Sequence, residues 1–79
     1  MIRVRYFAAA ADAAGKSSEN VDAGTLGDLI DTLTARHDAG FAEVLARCSL
    51  LVDGTYRDER GYCLDAAMGV DVLPPFAGG

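Results

Sequence analysis

The residues best suited to chemistry stand together in the segment Leu73-Pro74-Pro75-Phe76-Ala77-Gly78-Gly79. Two final glycines have no Cβ, so a carboxylate at Gly79 can enter a channel too narrow for any side chain. Pro74 and Pro75 favour extended, polyproline-like geometry, and the stretch from Pro74 to Gly79 reaches roughly 20 Å when extended. Such a carboxylate, with an unperturbed pKa of about 3.5, is ionised at neutral pH and is a poor electrophile. It becomes an acyl donor only after activation, for example by adenylation. The sequence holds no phosphate-cradling glycine loop with its lysine, and the sole lysine, Lys16, lies elsewhere. The ATP site is therefore expected on a separate activating enzyme, with this chain as substrate and carrier. A frayed, glycine-ended terminus is the plainer alternative, but fraying does not call for a hydrophobic Pro-Pro-Phe stem.

Other reactive residues point less clearly to a site. Cys48 falls on an apolar helical stripe and reads as a small buried hydrophobe; Cys63 stands near a loop. Two cysteines and one histidine, His37, do not assemble a zinc site, and no metal is expected. His37 stands at a predicted helix end, where it complements the helix dipole. Asp53, Asp58 and Glu59 read as a solvated loop face.

The elements that must hold the tail follow from the pattern of apolar residues. Ile2-Arg3-Val4-Arg5-Tyr6-Phe7 alternates, predicting a strand with Ile2, Val4 and Tyr6 inward. Ala8 to Ala14 predicts a short helix stopped by Gly15, and Ser17 to Val21 a weaker, returning antiparallel strand that is a candidate for an edge. Thr25 reads as an N-cap with Asp28 three residues on. Leu26, Leu29, Ile30 and Leu33 then give the apolar stripe of the main helix. Phe41, Val44, Leu45 and Cys48 repeat that spacing in a second short helix. Ser49 to Val52 is a strand ending at the turn Asp53-Gly54. Arg57 to Gly61 is a surface loop, and Val70 to Leu73 is the last strand, ended by the prolines. This order predicts an α+β fold of the β-grasp, ubiquitin-like type: a mixed four- to five-stranded sheet, one main helix and short additional helices. The domain is expected over residues 1–73, with 74–79 as an extended tail.

Length and composition narrow the classes of function. Seventy-nine residues, 51% of them hydrophobic, make one domain whose core supplies only roughly 3–5 kcal/mol. A formal charge of −5 disfavours nucleic acid and anionic membranes and suits a protein partner with a positive patch. No run has the length of a membrane-spanning helix. Asp12 interrupts the alanine-rich Tyr6–Ala14 stretch and the arginines alternate as in a strand, so it is not read as a signal peptide. A cytoplasmic location with reduced thiols is the resulting expectation.

With these residues in place, the chain resembles the small subunit of molybdopterin synthase, within the wider group that includes the thiamine sulfur carrier. Met1-Ile2-Arg3-Val4-Arg5-Tyr6-Phe7-Ala8 resembles the family's opening strand. Val52-Asp53-Gly54 resembles its Val-Asn-Gly turn, and Leu73 to Gly79 its Pro-Pro-x-x-Gly-Gly ending. The Pro-Pro pair leans toward the molybdopterin branch. Two positions depart: Ala11 stands where a basic residue is common, and Ala67-Met68-Gly69-Val70 replaces the usual Gly-Asp-x-Val. The resemblance implies that an activating enzyme uses ATP to adenylate the Gly79 carboxylate and that a sulfur donor protein converts it to a thiocarboxylate. The tail, Gly78 leading Gly79, then enters the large synthase subunit of a heterotetramer and delivers sulfur to a pyranopterin precursor. No cofactor is bound by the chain itself. Thiamine or cysteine pathways, a ubiquitin-like modifier that attaches Gly79 to lysines, and an inert-tailed binding module are the alternatives.

Strand parity predicts the partner surface. With Ile2, Val4 and Tyr6 inward, Arg3, Arg5 and Phe7 face outward; with Val70 and Val72 inward, Asp71 and Leu73 face outward. Parallel first and last strands would bring Phe7 and Leu73 together where the tail departs. Tyr56 is expected to extend that apolar patch, and Pro74, Pro75, Phe76 and Ala77 to line the partner's channel.

Overall fold

In the computed structural model, residues 1–75 are described. The elements are β1 (Ile2–Tyr6), α1 (Ala9–Ala14), β2 (Ser18–Val21), α2 (Leu26–Arg36), α3 (Ala39–Arg47), β3 (Ser49–Val52), β4 (Thr55–Tyr56) and β5 (Gly69–Leu73). The strands form one mixed sheet in the order β2-β1-β5-β3-β4. β1 and β5 run parallel, with Val4 opposite Val70 and Tyr6 opposite Val72. β2 pairs antiparallel with β1, and β3 antiparallel with both β5 and β4. This is the predicted α+β, β-grasp architecture, with β2 at one edge and β4 at the other.

The core lies on one side of the sheet. Ile2, Val4 and Tyr6 from β1, Val70 and Val72 from β5, and Leu50 and Val52 from β3 are buried together with Leu26, Leu29, Leu33, Phe41 and Leu45 from the helices. Period-two alternation on the strands and three-to-four spacing on the helices make a single apolar layer between them. Thr25 caps α2, its Oγ1 accepting from the Asp28 N–H at 3.1 Å. Asp38 caps α3 in the same way through the Phe41 N–H at 2.9 Å.

The loop after β4 does more than cover surface. Its Tyr62 and Arg60 carbonyls accept the first N–H groups of α2, from Leu26 at 2.9 Å and Gly27 at 2.7 Å, which otherwise have no partner in the helix. That approach is close: a Cβ on Gly27 would stand 3.0 Å from the Arg60 carbonyl oxygen. Asp53 and Gly54, at φ 48° and 85°, make the β3–β4 turn with the paired positive φ of a type I′ hairpin.

Candidate functional site

The face of the sheet away from the helices is open, and the tail leaves along its midline. β5 is held between β1 and β3 and runs straight into half-buried Pro74 and exposed Pro75. On β1, Arg3 and Arg5 are exposed while their neighbours are buried. Arg5 makes a two-pronged ion pair with Asp71, its partner across the parallel ladder, at 2.7 and 2.9 Å. Its guanidinium also lies 5.7 Å from the centre of the Phe7 ring, within cation–π range.

Phe7 follows β1 directly. Its N–H donates to the Val72 carbonyl at 3.2 Å, which carries the β1–β5 ladder one step further and sets Phe7 beside Leu73. Phe7 is 39% exposed and Leu73 half-buried. The chain then turns sharply at Ala8, whose φ of 49° is costly for a residue with a Cβ, by about 1–3 kcal/mol. Tyr56, 57% exposed, sits on β4 opposite Leu51, which sits opposite Asp71. Leu51 thus links Tyr56 to the centre of the open face. Sequence reasoning named Phe7, Leu73 and Tyr56 but passed over Leu51, which the same parity rule identifies once Leu50 and Val52 point inward. Phe76, Ala77, Gly78 and Gly79, the predicted chemical end of the tail, lie outside the described residues.

The end of β1 that carries Phe7 is braced from the helix side by a polar cluster centred on Glu19 of β2. The Glu19 side chain is only 6% exposed. Its Oε2 accepts from the Tyr6 hydroxyl at 2.5 Å and meets His37 Nε2 at 2.6 Å, while Oε1 accepts from Arg36 at 2.8 Å. Burial opposes ionisation of this carboxyl, but the hydrogen bonds from Tyr6, Arg36 and His37 outweigh it and hold the group at about 2. Burial, with the neighbouring carboxylate, pushes the Tyr6 hydroxyl well above its ordinary range. His37 also packs on Phe41, ring centres 4.4 Å apart. His37 therefore ties the end of α2 to the sheet, a partnership not legible from its place at a helix end.

The remaining reactive groups stand apart. Cys48 is half-buried, its thiol donating to the Val44 carbonyl at 3.1 Å, and burial raises its pKa. Cys63 is exposed on the loop that caps α2. Among the described residues no group of three His, Cys, Asp or Glu could hold a metal ion, and no helix is long and apolar enough to cross a membrane.

A mixed five-stranded sheet in the order β2-β1-β5-β3-β4 with helices on one side defines a ubiquitin-like, β-grasp protein. The ThiS family profile matches residues 4–79, and the chain belongs to the ThiS family. No curated protein matches the sequence. Among solved structures, small archaeal modifier protein 1 (SAMP1) of Haloferax volcanii is similar at 26% identity and a TM-score of 0.84, over 99% of this chain and 98% of that one. A Pyrococcus furiosus protein assigned as molybdopterin converting factor subunit 1 is 27% identical, with a TM-score of 0.83, over 95% of this chain and 97% of its own. The complex of subunits 1 and 2 of the Helicobacter pylori molybdopterin-converting factor contains a chain of the same fold. That chain is 23% identical at a TM-score of 0.76, over 99% and 97% of the two chains.

Proposed function

We propose that this protein is a sulfur carrier, the small subunit of a molybdopterin synthase, with its chemistry at the Gly79 carboxylate. A separate ATP-dependent enzyme adenylates that carboxylate. A sulfur donor protein then displaces adenylate to leave a thiocarboxylate, and the loaded tail enters the large subunit and gives up its sulfur to the pyranopterin precursor. The chain contributes an acyl carrier and a docking face; ATP binding and the catalytic side chains belong to its partners.

The observation that carries this reading is a family match that runs through the Pro-Pro-x-x-Gly-Gly ending, on a tail rooted in a strand paired on both sides. A carrier needs a fixed root and a slender, reactive end, and the likeness to molybdopterin converting factor subunit 1 favours the molybdopterin branch. Incubation with the activating enzyme, ATP and a sulfur donor should leave Gly79 with one oxygen exchanged for sulfur, read by intact-mass spectrometry. An unchanged mass with a demonstrably active enzyme would sink the proposal.

The similarity to small archaeal modifier protein 1 supports a second reading. In it the same activated carboxylate is passed to lysine amines of other proteins, and Gly-Gly remnants on target lysines in a digest are its signature.

A further inference from the structure

The open face is unevenly neutralised. β1 and β5 are in parallel register, so each outward arginine has a defined partner position: Arg5 faces Asp71, and Arg3 faces Gly69. Arg5 has its carboxylate. Arg3 has a glycine where a side chain would be, and among the described residues its guanidinium takes part in no hydrogen bond or ion pair. The missing side chain leaves a recess of about 540 Å³ over β5, lined by Arg3, Arg5, Asp53, Gly54, Gly69 and Asp71. Both Asp71 oxygens are engaged by Arg5, while Asp53, in no ion pair among the described residues, accepts from the Gly69 N–H through Oδ1 at 2.8 Å. Of the charged side chains lining the recess, Arg3 is the one with neither a hydrogen bond nor an ion pair among the described residues.

We propose that this recess receives a carboxylate side chain from the protein that takes the tail, paired with Arg3; the proposal rests on the carrier reading above. Three points favour a protein occupant. A lone guanidinium on an open sheet holds a free small anion weakly, because an exposed pair is worth little by itself. A chain of net charge −5 repels nucleic acid. The recess also lies within reach of the tail's own docking footprint. Gly69 stands four residues before Leu73, about 13 Å along the strand, and an interface of ordinary size, about 800 Å² per partner, spans a radius of roughly 16 Å. A partner centred on Phe7 and Leu73 therefore covers Arg3 as well, and covering an unpaired guanidinium without offering an acceptor carries a desolvation penalty.

The test uses the full chain, with the large synthase subunit and the activating enzyme of its own organism as probes, and measures binding at low and high salt. Arg3→Glu should weaken binding about tenfold or more. Gly69→Glu should do the same by filling the recess with an internal carboxylate. Its Cβ would stand 3.7 Å from the Arg3 carbonyl oxygen and 4.0 Å from Asp53 Oδ1, ordinary contacts, so the side chain has room, and a thermal melt of the variant confirms that it is folded before binding is read. Arg3→Lys should retain much of the affinity, and Arg47→Glu, the same charge change on α3, should cost only the general electrostatic steering. Arg3→Glu binding both probes no worse than Arg47→Glu overturns the recess while leaving the carrier reading intact. A wild-type chain that is neither loaded at Gly79 nor bound by either probe removes both.

Discussion

The two faces of the sheet are made by the same strands and differ in nearly everything else. On β1, Ile2, Val4 and Tyr6 are buried against the helices while Arg3 and Arg5, one residue away in each case, are exposed. On β5, Val70 and Val72 are buried, and Gly69, Asp71 and Leu73 are not. The covered face is an apolar layer closed by a satisfied polar clamp. The open face combines an ion pair, an unpaired arginine, a recess over glycine and an apolar end at Phe7 and Leu73, with Leu51 and Tyr56 level with Asp71 toward the β4 edge. The proposal puts recognition on the second face while the core puts stability on the first, so a substitution's consequence should follow from the parity of its position.

The strongest challenge to that division comes from the core. Phe41→Ala, at a residue 1% exposed, should cost about 3–5 kcal/mol, comparable to all that a core of this size supplies, and denaturant unfolding should find little folded protein. The Glu19 clamp comes next. Glu19→Ala leaves Tyr6 and His37 with unmet hydrogen bonds and should cost about 1–3 kcal/mol. Its pH dependence has a defined sign. Glu19 takes up its proton at about 2 in the native chain, against an ordinary 4.5, so between those values the unfolded chain binds more protons. The stability that Glu19 contributes is complete above about pH 4.5 and is lost as pH falls toward 2. Glu19→Gln should flatten that acid limb, and an unaltered limb would remove Glu19 as its source.

Gly27→Ala should cost about 1–3 kcal/mol by overpacking, because the atom its Cβ would strike, at 3.0 Å, is backbone. The smallest effect on folding is expected on the open face. Phe7→Asp should change unfolding free energy by no more than about 0.5 kcal/mol, yet abolish binding to the large subunit proposed above as its partner. If it unfolds the domain as a core variant would, the separation of the two faces fails.

Much of this organisation can be read from local pattern. Alternation from Ile2 to Tyr6 fixes which side of β1 is buried, and the Leu26, Leu29, Leu33 spacing fixes the helix face that meets it. Asp53-Gly54 marks its own turn. The Glu19 clamp is of another kind. It joins residues 6, 19, 36 and 37 from three elements, and neither Tyr6 on an apolar stripe nor His37 at a helix end announces a shared carboxylate. Gly27 was similarly silent, since its need for a missing Cβ arises from a carbonyl thirty-three positions away. The recess over Gly69 required the β1–β5 register, which alternation alone does not supply. The tail shows the reverse relation: the chemistry proposed for it comes from the Pro-Pro-x-x-Gly-Gly sequence, while its last four residues lie beyond those described.

The placement of β5 also bears on what happens when a carrier is withdrawn from a tight channel. Any pull along the backbone past Pro75 enters the domain at Leu73, and β5 is flanked by a parallel ladder to β1 and an antiparallel ladder to β3. Both ladders are then loaded lengthwise, in shear, so that many hydrogen bonds must break at once; an edge strand pulled the same way would be held by one ladder alone. On the carrier reading, a pull on the tail therefore meets the resistance of two ladders.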